Sequence, residues 1–118
     1  MSLLVQSAKS YDTPVSVLYQ AALGAVEGLE GSVITQDRDK SEIQAKFDKK
    51  ILGHVLGDRT QIKVMIVSEG DNKNSVSIEC FPLDAVGRKL MFGARKGVTE
   101  TVVSWFFAHL EHRLQKSS

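Results

Sequence analysis

The spacing of hydrophobic residues changes along the chain, and each change marks an expected helix or strand. Residues 3–9 predict a short strand. From Val15 onward the apolar residues recur every three or four positions, as on one face of a helix. Asp12 or Thr13 is expected to cap this helix, with Pro14 at its first position. Its apolar stripe consists of Val15, Leu18, Ala22, Ala25 and Leu29, followed by the stop signals Gly28 and Gly31.

Beyond residue 31 the apolar residues alternate with polar ones, which is the period of a half-buried strand. Strands are expected at 32–37, 43–47, 62–66 and 76–80, with polar turns between them and a loop around His54. Pro82 is expected to end the fourth of these strands, because proline cannot donate to a sheet ladder. A further strand is expected at 88–92, and the strongest helical pattern follows at 98–115.

These elements predict an α+β fold in a single domain, residues 1–118, with two helices packed against an antiparallel meander of four to six strands. The expected order is strand, helix, four or five strands, helix. In this outline the chain resembles the helix-grip arrangement of the lipid-transfer and polyketide-cyclase superfamily. The resemblance lies in topology, and it implies a curved sheet wrapped around a C-terminal helix over a cavity. A two-layer sandwich without a cavity is the alternative.

Two apolar stripes run along the last helix. The first is typical of a helix face packed on a sheet, and it contains Val103, Phe106, Phe107, Leu110 and Leu114. The second lies on another side of the helix, where a two-layer domain is normally polar. It contains Val98, Val102, Trp105, His109 and His112.

The second stripe has three interpretations. It forms a subunit interface anchored by Trp105, it lines a ligand cavity beside Trp105, or another part of the chain covers it. We favour the interface, because tryptophan is enriched at the anchors of protein interfaces. The residues assigned to an interface or ligand site are Val98, Val102, Trp105 and His109. The expected partner is therefore a second copy of the chain, with a small apolar or anionic ligand as a further candidate.

Composition limits the other classes of partner. The chain has 118 residues, of which 42% are hydrophobic and 25% charged, and its net charge is +1. No overall field attracts nucleic acid or an anionic membrane surface, so neither is expected as a partner. Cys80 is the single cysteine, which excludes an intramolecular disulfide and fits a reducing compartment. With no signal peptide and no long apolar run, the expected location is the cytoplasm.

Two motifs suggest weaker sites. Arg95 and Lys96 lie between two glycines just before the last helix, where free N–H groups favour anions. A solvated turn is the interpretation we favour there. His109 and His112 share a helix face, but no set of cysteines or carboxylates completes a zinc site, so no metal is expected.

Nothing in the sequence nominates a catalytic group or a cofactor site. Cys80 falls on the inward side of its strand, and Ser104 has no obvious base nearby. The expected function is therefore a non-catalytic binding or interaction domain that self-associates through the C-terminal helix. The alternative is a carrier of small apolar ligands, or a cyclase-like enzyme, with a cavity between the sheet and that helix.

Overall fold

The computed structural model describes residues 5–56, 58–70, 73–83 and 97–116, and it contains two helices and seven strands within them. The helices are α1 (Val15–Gly28) and α2 (Val98–Lys116). The strands are β1 (Val5–Tyr11), β2 (Ser32–Asp37), β3 (Glu42–Phe47), β4 (Lys50–Ile51), β5 (His54–Val55), β6 (Arg59–Gly70) and β7 (Lys73–Leu83).

Five of the strands form one sheet in the order β1-β7-β6-β3-β2. Every neighbouring pair is antiparallel, and the longest pairing joins β6 to β7, from Arg59 opposite Leu83 to Gly70 opposite Lys73. β4 and β5 form a separate two-stranded hairpin. The α+β fold with two helices and an antiparallel sheet is confirmed.

Both helices bury their apolar stripes in a single core cluster. α2 packs on α1, β7 and β1, while α1 also contacts β6 and β2. The alternation predicted for the strands is confirmed in β3, β6 and β7, which each bury one face beneath the helices, whereas all six residues of β2 are exposed. The central residues of the core cluster are Ile43, Ala45, Ile62, Val64, Val76, Ile78 and Cys80 from the sheet, Leu18, Ala22, Ala25 and Val26 from α1, and Val102, Phe106 and Leu110 from α2.

Three local predictions need correction. β7 continues through Pro82, which lies opposite Thr60 of β6, whereas the described pairing with β1 ends at Cys80. Proline is therefore tolerated where the strand has one described neighbour. Neither Asp12 nor Thr13 caps α1 with its side chain, and Pro14 occupies the N-cap position instead. The loop around His54 contains the β4–β5 hairpin, and the strand predicted at 88–92 lies outside the described residues.

Candidate functional site

α1 covers much of the second stripe of α2. Val98 and Val102 are buried, and Val102 belongs to the core cluster. His109 lies against Gly28 of α1, since a β-carbon added to that glycine would lie 3.0 Å from the His109 Nδ1 atom. The interface predicted at Val98 and Val102 is thus corrected: in this fold these two side chains are interior, so they offer no free surface to a second subunit.

Trp105 lies at the edge of this contact, and the β4–β5 hairpin approaches it. The side chain is partly buried, and its ring lies 5.6 Å from the His54 ring, centroid to centroid. The hairpin is tied to the end of α1, because the Leu52 N–H donates to the Glu30 carboxylate over 2.7 Å. Leu52 and Val55 flank His54 and are 47% and 75% exposed. An exposed apolar patch therefore lies beside Trp105, and it is formed by the β4–β5 hairpin rather than by the second stripe of α2.

The sequence also singles out two further pairs of residues, His109 with His112 and Arg95 with Lys96. His112 is exposed while His109 faces α1, so the two rings differ in environment. Within the part of the chain that the structure describes, no group of three or more His, Cys, Asp or Glu side chains is arranged to hold a metal ion. Arg95 and Lys96, predicted to bind an anion, lie outside the described residues.

A groove of about 520 Å³ runs between β1 and α2. Val5, Ser7 and Lys9 alternate along β1 and pair with the inward-facing residues Cys80, Ile78 and Val76 of β7. They therefore point towards the helices, and two of these three residues, Ser7 and Lys9, are polar. The lining residues are Val5, Gln6, Ser7 and Lys9 from β1 and Glu100, Val103, Ser104, Phe107, Ala108 and Glu111 from α2.

A charged cluster lies at one end of this groove. The Glu111 carboxylate accepts a hydrogen bond from the Tyr11 hydroxyl over 2.8 Å and from the Lys9 ammonium over 3.3 Å. The Lys9 Nζ atom also lies 5.0 Å from the centre of the Phe107 ring, within range of a cation–π interaction. This end of the groove therefore offers one cation, one anion and a phenol beside an aromatic face.

The cluster changes the acidity of its members. Burial, reinforced by the hydrogen bond to Glu111, raises the pKa of the Tyr11 phenol well above its usual range. The hydrogen bonds from Tyr11 and Lys9 outweigh the effect of burial and lower the pKa of the Glu111 carboxyl. At neutral pH the carboxylate is therefore ionised and the phenol protonated, so the hydrogen bond between them is retained.

The sequence interpretation missed this cluster, although part of its signal is visible. Ser7, Lys9 and Tyr11 lie two positions apart, as do residues on one face of a strand. The predicted strand, however, covers only residues 3–9 and stops before Tyr11. Glu111 lies 100 positions after Tyr11, and nothing in the sequence pairs the two residues.

Cys80 lies in the core and is fully buried. Burial, followed by the negative charge of Glu100, raises the pKa of the thiol to about 12. Because the thiolate is the nucleophilic form, this cysteine is chemically inert at neutral pH.

No protein-family model matches the chain, and no curated protein matches it in sequence. Solved structures do resemble it. The di-domain ARO/CYC StfQ from the steffimycin biosynthetic pathway matches with a TM-score of 0.63 at 8% identity, over 90% of this chain and 43% of StfQ. The chain thus spans less than half of that protein.

Two further structures match along most of their own length. Ara h 8.0201 has a TM-score of 0.63 at 8% identity, over 95% of this chain and 97% of its own. A protein from Nitrosospira multiformis has a TM-score of 0.56 at 11% identity, over 91% of this chain and 92% of its own. The chain therefore has the helix-grip fold, as its predicted topology suggested.

Neither described helix is long and apolar enough to span a membrane.

Proposed function

We propose that the protein binds a small apolar ligand, without transforming it, in the groove between β1 and α2. The observation that carries this proposal is the groove itself, whose apolar lining residues are Val5, Val103, Phe107 and Ala108. Its volume of about 520 Å³ falls in the range of small-molecule sites, roughly 300–1,000 Å³.

The polar end of the groove supports a ligand that carries one polar group. Lys9 and Glu111 have side chains about half exposed, at 49% and 41%, so they can rearrange without unfolding the domain. Exposed ion pairs of this kind contribute little stability, on the order of 0–1 kcal/mol. A ligand hydroxyl or carbonyl would therefore compete for Lys9 at small cost while its apolar part covers Phe107.

The chemistry of the described side chains favours binding over catalysis. The one cysteine is buried with its pKa raised, and the described residues that line the groove include no histidine. Glu111 is held as a carboxylate by Tyr11 and Lys9, which makes it a poor proton donor at neutral pH.

A neutral fluorescent probe, N-phenyl-1-naphthylamine, tests this function. We expect saturable binding to the wild-type protein, and Ser104→Phe should weaken it at least tenfold because the new ring fills the groove from an exposed position. His112→Phe is the matched control, since His112 is exposed on the same helix but does not line the groove. Equal weakening by both variants, or no effect of Ser104→Phe, would place the probe elsewhere.

Self-association is a second candidate, supported by the exposed apolar side chains of the β4–β5 hairpin. Leu52 and Val55 lie on either side of His54, whose ring contacts the partly buried Trp105 ring at a tilt of 57°. We infer a contact between two copies through this patch, which differs from the predicted interface in using the hairpin in place of Val98 and Val102.

Light scattering after size-exclusion chromatography measures this association directly. A dimer is expected at high protein concentration, and Val55→Asp should convert it to a monomer without loss of helix content. Val67→Asp is the control, because Val67 is 49% exposed on β6, outside the hairpin. A wild-type protein that stays monomeric at millimolar concentration would rule the contact out.

A further inference from the structure

A second, smaller cleft lies between the start of α1 and the turn that joins β2 to β3. Its volume is about 350 Å³, and none of its lining residues belongs to the β1–α2 groove. Val15 and the ring of Tyr19 give it an apolar side, while the remaining lining residues are polar: Ser16, Gln20, Arg38 and Ser41.

Arg38 is the one charged residue among the described residues that line this cleft. Its guanidinium carbon lies 5.7 Å from the centre of the Tyr19 ring, so the cation is held over an aromatic face. No described carboxylate forms an ion pair with it. The neighbouring Asp37 is engaged in the turn, where its Oδ1 atom accepts the Lys40 N–H over 3.2 Å.

The turn that carries Arg38 contains a residue with a strained backbone conformation. Ser41 has a φ of 53°, in the left-handed region that serine rarely adopts. The Ser41 N–H donates to the Arg38 carbonyl over 3.2 Å, and the Ser41 carbonyl accepts the Ile66 N–H over 3.0 Å. The first bond closes the turn and the second fixes Ser41 to β6, so Arg38 projects from a constrained loop.

Tyr19, whose ring lies under this cation, carries an unsatisfied polar group. The residue is 4% exposed, and its hydroxyl has no hydrogen-bond partner among the described residues. Buried hydroxyls in folded proteins are nearly always paired, because leaving one unpaired forfeits the hydrogen bonds that it made to water. An acceptor on a bound ligand would supply the missing partner.

We propose that this cleft binds a small monocarboxylate with an aromatic or short apolar tail. The carboxylate pairs with the Arg38 guanidinium, whose planar fork matches two carboxylate oxygens, and it accepts a hydrogen bond from the Tyr19 hydroxyl. The tail packs between Val15 and the Tyr19 ring. One lining cation matches one negative charge, which favours a carboxylate over a doubly charged phosphate.

Calorimetric and NMR titrations with 4-phenylbutyrate, compared with the uncharged 4-phenyl-1-butanol, test this site. The wild-type protein should bind the acid at least tenfold more tightly than the alcohol. Arg38→Gln should weaken binding of the acid by roughly ten- to hundredfold, the usual effect of losing a charged hydrogen bond, and remove the preference over the alcohol. Tyr19→Phe should weaken binding of the acid and leave the fold intact.

Lys40→Gln is the matched control, because Lys40 is an exposed cation of the same turn that does not line the cleft. It should change the affinity by less than about twofold, since an exposed charge outside the cleft is screened by solvent. Equal weakening by Arg38→Gln and Lys40→Gln, equal binding of acid and alcohol, or no saturable binding at millimolar acid would each overturn the proposal. Ser104→Phe, which blocks the β1–α2 groove, should leave the Arg38-dependent part of acid binding unchanged, and this separates the two sites.

Discussion

Replacing Phe106 by alanine should lower the free energy of unfolding by about 3–5 kcal/mol, the usual cost of deleting a core aromatic ring. Phe106 is 0% exposed in the core cluster that α2 shares with α1 and the sheet. Its ring also meets that of Phe107 edge-on, with 5.5 Å between the ring centres. The loss is a large part of the 5–15 kcal/mol that stabilises a typical domain, so this variant should unfold at low denaturant concentration.

Urea unfolding followed by far-ultraviolet circular dichroism measures this loss, with Trp105→Ala as the comparison on the same helix. Trp105 is only partly buried and packs on the exposed hairpin residue His54, so its loss should cost about 1–2 kcal/mol. Phe106→Leu, which leaves a smaller cavity, should fall between the wild type and Phe106→Ala. If Trp105→Ala costs as much as Phe106→Ala, Trp105 is a core residue and not part of a surface patch.

The two sides of α2 show what hydrophobic periodicity can predict. Periodicity identified every apolar side of the helix, and the stripe through Phe106 and Leu110 packs in the core as expected. It did not identify the neighbour of each side. Periodicity alone therefore allows Val102 to face a second subunit, whereas in the structure α1 packs against that side of α2. The missed signal is on α1, where Gly24 and Gly28 are four positions apart and leave room for side chains of α2.

The candidate sites were less predictable than the fold, because each joins residues that are distant in sequence. Tyr11 and Glu111 meet only once β1 and α2 are placed side by side. Arg38 falls in the polar turn predicted between the strands at 32–37 and 43–47, and its position over Tyr19 depends on how α1 packs against the sheet. Side-chain type and strand alternation show which residues share a face, but the partner across a groove depends on tertiary packing.

Gly31→Ala should destabilise the protein by about 2–3 kcal/mol, within the range for overpacking a filled core. A β-carbon there would lie 2.5 Å from Cε1 of Phe47 and 2.9 Å from Cγ1 of Val26, both of which are buried. The backbone has little freedom to withdraw, because the Gly31 N–H donates to the Val26 carbonyl over 2.9 Å at the end of α1. The same turn places Glu30 against Leu52, so the position of the hairpin beside Trp105 depends on this tight packing.

Gly24→Ala is the matched control, because the added carbon would meet only the flexible side chain of Arg113 from α2, at 2.9 Å. Alanine also favours the helix over glycine by about 0.5–1 kcal/mol, so the net change in unfolding free energy should stay within about 1 kcal/mol of zero. The clash can be isolated with Phe47→Leu, which removes the ring that Gly31→Ala would strike. In that background Gly31→Ala should cost at least 1 kcal/mol less than in the wild type, as a double-mutant cycle measures. An unchanged cost would mean that the contact with Val26, rather than that with Phe47, requires glycine at the end of α1.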